Sequence, residues 1–144
     1  MDIVLHLRNN LRLMLYHLGL LLLVAAAGFV LRRAGADPFH MIGWFPFILA
    51  AGSFIIGLTL APHPKAAANA LSTLSLLVIS LLLFPVYALN EPVLDAIYMY
   101  GLFHLPYGLL PLVESFRPVN VLPFTLIPYL AATIGLFVKR GLVR

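Results

Sequence analysis

Four hydrophobic stretches that contain no Asp, Glu, Lys or Arg fill most of this chain. They cover residues 13–31, 42–61, 70–89 and 121–138. An α-helix rises about 1.5 Å per residue, so each stretch is about long enough to cross a hydrocarbon layer of about 30 Å. The sequence therefore predicts an all-α fold, a polytopic transmembrane helical bundle with four spans.

The composition agrees with lipid, rather than water, as the main solvent. Hydrophobic residues make up 62% of the 144 residues, charged residues make up 10%, and the mean hydropathy is +1.04. A soluble domain contains about 45–50% apolar and about 25% charged residues, so this chain carries more apolar surface than one soluble core can hide. We expect a single integral membrane domain over residues 1–144.

The first stretch belongs to a longer predicted helix. Apolar side chains recur ahead of it at three- and four-residue spacing, which is the period of one helical face. These residues are Val4, Leu7, Leu11, Met14 and Leu18. The apolar run continues to the pair Arg32 and Arg33, so its length favours a retained span over a cleaved signal peptide.

The basic residues predict the orientation of the four spans. Six would lie on the side of the termini, namely Arg8, Arg12, Lys65, Lys139, Arg140 and Arg144. Three would lie on the opposite side, namely Arg32, Arg33 and Arg117. Because Lys and Arg accumulate in cytoplasmic loops, this distribution places both termini in the cytoplasm, although Arg32 and Arg33 oppose the rule locally. The short connections favour a multi-pass protein of the bacterial plasma membrane.

Residues 92–113 leave the number of spans open. They are apolar enough for a fifth span, but they include Asp95, His104, Pro106 and Pro111. Lipid cannot bond the backbone groups that prolines free, and a fifth span would also move the basic C-terminus outside. We therefore expect an irregular outer-side segment that is interfacial or re-entrant, with a fifth span as the alternative.

Small residues mark two candidate helix contacts. Ser53 and Gly57 are four residues apart in the second stretch, and Ala131 and Gly135 are four apart in the last. Small side chains at this spacing let membrane helices approach closely. We interpret these four residues as packing positions within the bundle, or alternatively as an interface with another chain.

Polar residues in the third stretch form a second candidate feature. Asn69, Thr73 and Ser80 fall within one broad arc of a helix. Such a row would line a polar track for a solute or ion. The alternative is that these side chains bond the carbonyls of their own helix or a neighbouring helix.

Ionisable groups give the remaining site hypotheses. His17 is the readily ionisable residue inside a predicted span, where it could relay protons or ligate haem. Asp95 and His104 would lie at the outer face, where a carboxylate could take part in hydrolysis. The alternatives are a neutral histidine bonded within the bundle and solvated loop acids, so we assign no catalytic residue.

Composition also excludes several functional classes. The chain has no cysteine, which excludes disulfides and thiolate chemistry. We predict no metal site and no cofactor. The net charge of +4 does not indicate nucleic-acid binding, because the basic residues flank the apolar stretches and form no stripe with aromatics.

These observations favour a small integral membrane protein that acts as a non-catalytic subunit or accessory partner of a membrane complex. Its expected partners are the lipid bilayer and other membrane chains or copies of itself. A small oligomeric transporter or channel is the alternative. A membrane enzyme that uses outer-face carboxylates is a third hypothesis.

Overall fold

A computed structural model describes residues 3–36, 38–89 and 122–143, in which the secondary structure is helical, with turns between the helices and no strand. The helices are α1 (Ile3–Arg33), α2 (Pro38–Thr59), α3 (Ala66–Leu71), α4 (Leu74–Leu89) and α5 (Leu122–Leu142). The predicted all-α class is confirmed for this part of the chain. The segment 92–113, and with it Asp95 and His104, lies outside the described residues.

Helix α1 is the one helix in the described ranges that is long and apolar enough to cross a membrane. Its length and composition fit one membrane span. Helix α2 contains an apolar segment, Trp44–Thr59, which is shorter than a membrane-spanning helix.

Helix α1 ends in a glycine cap. Gly35 has a φ of +86°, a left-handed conformation that glycine adopts without a Cβ clash. The Gly35 N–H donates to the Arg32 carbonyl at 3.1 Å, and the Ala36 N–H donates to the Leu31 carbonyl at 3.0 Å. This pair of bonds is a Schellman motif, which satisfies carbonyls that the end of a helix leaves open.

Contacts between helices fix their directions. Helices α1 and α2 are antiparallel, because Asn9 contacts Ala61 while Leu20 lies against Gly52. Helices α2 and α5 run parallel, because Gly135 lies against Phe54 and the Lys139 ammonium reaches the carbonyl of Leu60. The start of α1 and the ends of α2 and α5 therefore lie together. We call this region the polar end and define it as residues 6–10, 60–75 and 139–140.

The third predicted stretch, residues 70–89, is not one continuous helix. Helix α3 ends at Leu71 and α4 begins at Leu74, with Ser72 and Thr73 in a turn between them. The hydropathy of the sequence does not predict this break, because the residues on both sides are apolar or small.

Helix α1 buries three polar side chains, while Arg8, Arg12 and a row of leucines lie on its exposed side. The buried residues are His6, Asn9, Leu13, His17, Leu21 and Val24. Outward-facing residues include Leu7, Leu11, Leu15, Leu22 and Leu23, and Leu22 is 72% exposed. A helix on the surface of a water-soluble protein presents the opposite arrangement, with leucines inward and polar groups outward.

Helices α2 and α5 make the most extensive helix–helix contact among the described elements. A Cβ added to Gly57 would overlap the backbone carbonyl of Ala132, and one added to Gly135 would overlap the carbonyl of Phe54. Ser53 is fully buried on the same helix as Gly57. Of the two adjacent alanines, Ala132 is fully buried while Ala131 is partly exposed. The two glycines therefore let two backbones touch.

We predict that Gly57→Ala lowers the free energy of unfolding by about 2 kcal/mol, because overpacking against a backbone carbonyl cannot be relieved by a side-chain rotation. Unfolding by a denaturing detergent in mixed micelles, followed by circular dichroism, measures this change. Gly141→Ala is the matched control, since a Cβ there meets no atom within 4 Å. Equal stability of the two variants would contradict the packing described for α2 and α5.

Candidate functional site

Asn9 of α1 bonds both backbone groups of a single residue beyond the end of α2. Its side-chain Nδ2 donates to the Ala61 carbonyl at 2.8 Å, and its Oδ1 accepts the Ala61 N–H at 3.3 Å. Asn9 is fully buried. Because an asparagine amide carries a donor and an acceptor, one side chain replaces the partners that a peptide group loses where a helix stops.

Asn10 bridges the break between α3 and α4. Its Nδ2 donates to the Leu71 carbonyl at 3.0 Å, and its Oδ1 accepts the Ser75 N–H at 2.8 Å. These two backbone groups flank the turn at which the helical pattern is interrupted. The side chain of α1 thus stands in for the hydrogen bonds that a continuous helix would make there.

Asn69 holds the turn between α2 and α3. Its Oδ1 accepts the His63 N–H at 2.7 Å, and its Nδ2 donates to the His63 carbonyl at 3.1 Å. The neighbouring Pro62 and Pro64 have no N–H to contribute, so Asn69 binds the N–H and the carbonyl of the residue between them.

Two histidine rings stack beside this turn. The rings of His6 and His63 lie 5.5 Å apart with an interplanar angle of 16°. The Ser72 hydroxyl donates to the Ala68 carbonyl at 3.1 Å, so His6 Nδ1, 2.8 Å from that hydroxyl oxygen, is the donor to it. His63 Nδ1 accepts the Lys65 N–H at 3.1 Å, which leaves the proton of a neutral His63 ring on Nε2.

Two cations of α5 bind carbonyls at the polar end. Lys139 Nζ donates to the Leu60 carbonyl at 2.7 Å, and Arg140 Nη2 donates to the Pro64 carbonyl at 2.6 Å. Basic side chains are favourable at the C-terminal end of a helix, where carbonyls lack intrahelical partners. The five acidic residues, at positions 2, 37, 91, 95 and 114, lie outside the described residues.

The proposed polar row is buried and bonded within the fold. Asn69, Thr73 and Ser80 are each 0–1% exposed. The Thr73 hydroxyl lies 2.8 Å from that of Thr133 on α5, and Ser80 donates to the Leu76 carbonyl at 2.6 Å. The arrangement matches the alternative in which these groups bond their own or a neighbouring helix.

His17 is 1% exposed on the inner face of α1. Within residues 3–36, 38–89 and 122–143, no three His, Asp or Glu side chains come together as metal ligands.

Sequence reasoning missed the roles of Asn9 and Asn10. Two adjacent asparagines inside an apolar helix were the available signal, because buried amides in membrane helices bond across to other helices.

A groove of about 580 Å³ runs between α1 and α2. Its walls are apolar and include Leu15, Leu20, Leu23, Ile55 and Ile56. Gly19 and Gly52 also line it, and a Cβ added to Gly19 would meet no atom within 4 Å. The groove is therefore open above Gly19, and an apolar body can approach the backbone of α1 there.

Comparisons with known proteins assign no relatives: no family model, no curated protein and no solved structure matches this chain.

We predict complementary effects of Asn9→Ala and Asn10→Ala on backbone hydrogen exchange. Each substitution leaves a donor and an acceptor without partners and costs about 2 kcal/mol locally, which corresponds to exchange faster by roughly tenfold or more. Asn9→Ala should accelerate the amide of Ala61, and Asn10→Ala should accelerate that of Ser75.

Each variant is the control for the other, because both remove the same amide from adjacent positions of α1. Residue-resolved hydrogen exchange in detergent micelles measures both amides. Equal acceleration of Ala61 and Ser75 in both variants would mean general loosening, and it would contradict the separate roles described for the two side chains.

Proposed function

We propose that this chain is a small multi-pass membrane protein that serves as a non-catalytic subunit or accessory partner of a membrane complex. Its four spans would be α1, α2, the α3–α4 pair and α5, with both termini in the cytoplasm of a bacterial cell. The helix directions support this topology, because the start of α1 and the end of α5 lie at one end of the described bundle.

The arrangement of polar and apolar side chains supports lipid as the solvent. Buried polar residues include Asn9, His17 and Ser53, while large apolar side chains such as Leu22 and Phe47 point outward. In water this arrangement would expose much apolar surface and bury groups that water could bond. In lipid the leucines lie in hydrocarbon, and Asn9 bonds the backbone of Ala61 inside the fold.

The observation that carries the subunit proposal is the groove between α1 and α2. Its lining is apolar and lies along the middle of α1, so an occupant would have to be apolar at the same depth. Gly19 leaves open space where a third helix would cross, and small residues favour close helix approach in lipid. We therefore propose a transmembrane helix of a partner chain as the occupant.

The polar groups of the groove do not favour an ionic or strongly polar ligand. The Thr59 hydroxyl donates to the Ile56 carbonyl of its own helix at 2.7 Å, so its hydrogen is already used. Tyr16 is the other hydroxyl in the lining. An apolar helix with a single polar contact would suit this surface.

The transporter or channel alternative has less support. Asn69, Thr73 and Ser80, which would line its track, make their hydrogen bonds inside the fold. The enzyme hypothesis rests on Asp95 and His104, which lie outside the described residues, and it remains a hypothesis from the sequence.

Filling the groove tests the subunit proposal. We predict that Gly19→Trp reduces the amount of co-purifying partner chain at least about tenfold, because a buried aromatic side chain occupies the space a partner helix would need. The measurement is purification in a mild detergent followed by native mass spectrometry, with the stoichiometry of every co-eluting chain determined.

Gly141→Trp is the control, since a Cβ at that position also meets no atom within 4 Å but lies at the far end of α5. A partner at fixed stoichiometry in the wild-type protein and in Gly141→Trp, lost in Gly19→Trp, is the expected result. A pure homo-oligomer that both variants leave unchanged would contradict the proposal and would favour the transporter or channel.

A further inference from the structure

We infer that the polar end contains a binding site for a phosphate group, between the turn 62–64 and the end of α5. This site is separate from the groove, and it goes beyond the proposed role as a subunit. An anionic lipid headgroup and free inorganic phosphate both carry the required chemistry.

A cavity of about 220 Å³ lies at this position, lined by Pro62, His63, Pro64, Arg140 and Val143. A water molecule occupies about 30 Å³ in the liquid, so the cavity is large enough for a group several times the size of water. Two prolines fix part of its wall, and Asn69 holds the His63 peptide group between them. The site is therefore shaped before any ligand arrives.

Arg140 has hydrogen-bonding capacity that the fold leaves unused. Its Nη2 donates to the Pro64 carbonyl, while its Nε is buried and has no hydrogen-bond partner. A guanidinium offers five donors in a planar fork, and phosphate oxygens accept such donors in pairs. Arg140 lines the cavity with donors beyond the one that the Pro64 carbonyl accepts, and these are the donors that a phosphate oxygen there would use.

His63 supplies a second donor beside the same cavity. Because its Nδ1 accepts the Lys65 N–H, its Nε2 carries the ring proton and is available as a donor. The ring is held by stacking on His6. Its orientation is therefore fixed by a turn hydrogen bond and by a ring contact, both independent of a ligand.

The local charge favours an anion. Lys65, Lys139 and Arg140 lie at this end, and the part of the chain that the structure describes contains no Asp or Glu. Among the described residues, Lys139 and Arg140 bind carbonyls, which carry no formal charge to offset theirs. A phosphate would supply the neutralising charge and accept the donors that remain.

The test uses the full chain and two probes. The first probe is inorganic phosphate, titrated at constant ionic strength while the His63 ring resonances are followed by NMR in a zwitterionic detergent. The second is native mass spectrometry after reconstitution in nanodiscs of equimolar phosphatidylglycerol and phosphatidylcholine, which reports the lipids retained. Neither readout requires the partner chain, so failure here is distinguishable from failure of the subunit proposal.

Arg140→Gln should weaken binding of phosphate, or retention of phosphatidylglycerol, about tenfold, because it removes charged hydrogen bonds. Val143→Trp should also weaken binding of phosphate or retention of phosphatidylglycerol, because the indole fills the cavity while Arg140 stays in place. This second variant keeps the test valid if Arg140→Gln fails to fold. Arg8→Gln is the charge-matched control, because Arg8 is exposed and does not line the cavity.

Saturable shifts of His63 with inorganic phosphate, weakened by Arg140→Gln and Val143→Trp but not by Arg8→Gln, would establish a site for free phosphate. Loss of retained phosphatidylglycerol in Arg140→Gln and Val143→Trp, but not in Arg8→Gln, would establish a site for the lipid headgroup. Absence of both responses would overturn the inference. Equal losses in all three variants would also overturn it, because they would indicate diffuse attraction to surface charge.

Discussion

Peptide groups that leave the helical pattern must find other partners, and three asparagine side chains supply them throughout the polar end. Asn9 pairs with the peptide groups of Ala61, Asn10 bridges the break before α4, and Asn69 holds the turn at His63. An asparagine amide matches a peptide group because it both donates and accepts. The Asn9 and Asn10 pairings also join segments that are distant in sequence, so the same bonds that satisfy the backbone fix the arrangement of α1, α2 and α4.

The proposed membrane environment explains why these contacts matter more than they would in water. Water can bond the end of a soluble helix, whereas hydrocarbon cannot, and an unsatisfied group there costs several kcal/mol. Lys139 and Arg140 extend the same principle, because they bind carbonyls at the end of α2 and in the following turn. Away from the polar end, the packing depends on close backbone approach at Gly57 and Gly135 rather than on polar contacts. The chain thus combines a hydrogen-bonded end with a close-packed middle.

Sequence periodicity and hydropathy predicted the helical class and the approximate positions of the long helices. Residues 122–138 of the last stretch lie within α5, and 13–31 lies within α1. The break at Ser72 and Thr73 was not predictable in this way, because it depends on Asn10, which is distant in sequence and bonds to both sides of the turn. Small-residue spacing indicated Gly57 and Gly135, but spacing alone does not say which helices meet. The inward direction of His17 and Asn9 also required the structure, since an apolar helix in lipid can turn either face inward.

The central claim is that α1 faces lipid with its leucines and faces the bundle with its polar stripe. Because the chain has no cysteine, spin labels can be placed singly along residues 7–24 of the protein in nanodiscs. Electron paramagnetic resonance then measures collisions with oxygen, which dissolves in lipid, and with a water-soluble nickel complex. The account predicts a helical period with oxygen maxima at Leu15, Leu18 and Leu22 and minima at Leu13, His17 and Leu21. Strong collisions of the nickel complex at Leu15, Leu18 and Leu22 would place that face in water and would contradict the account.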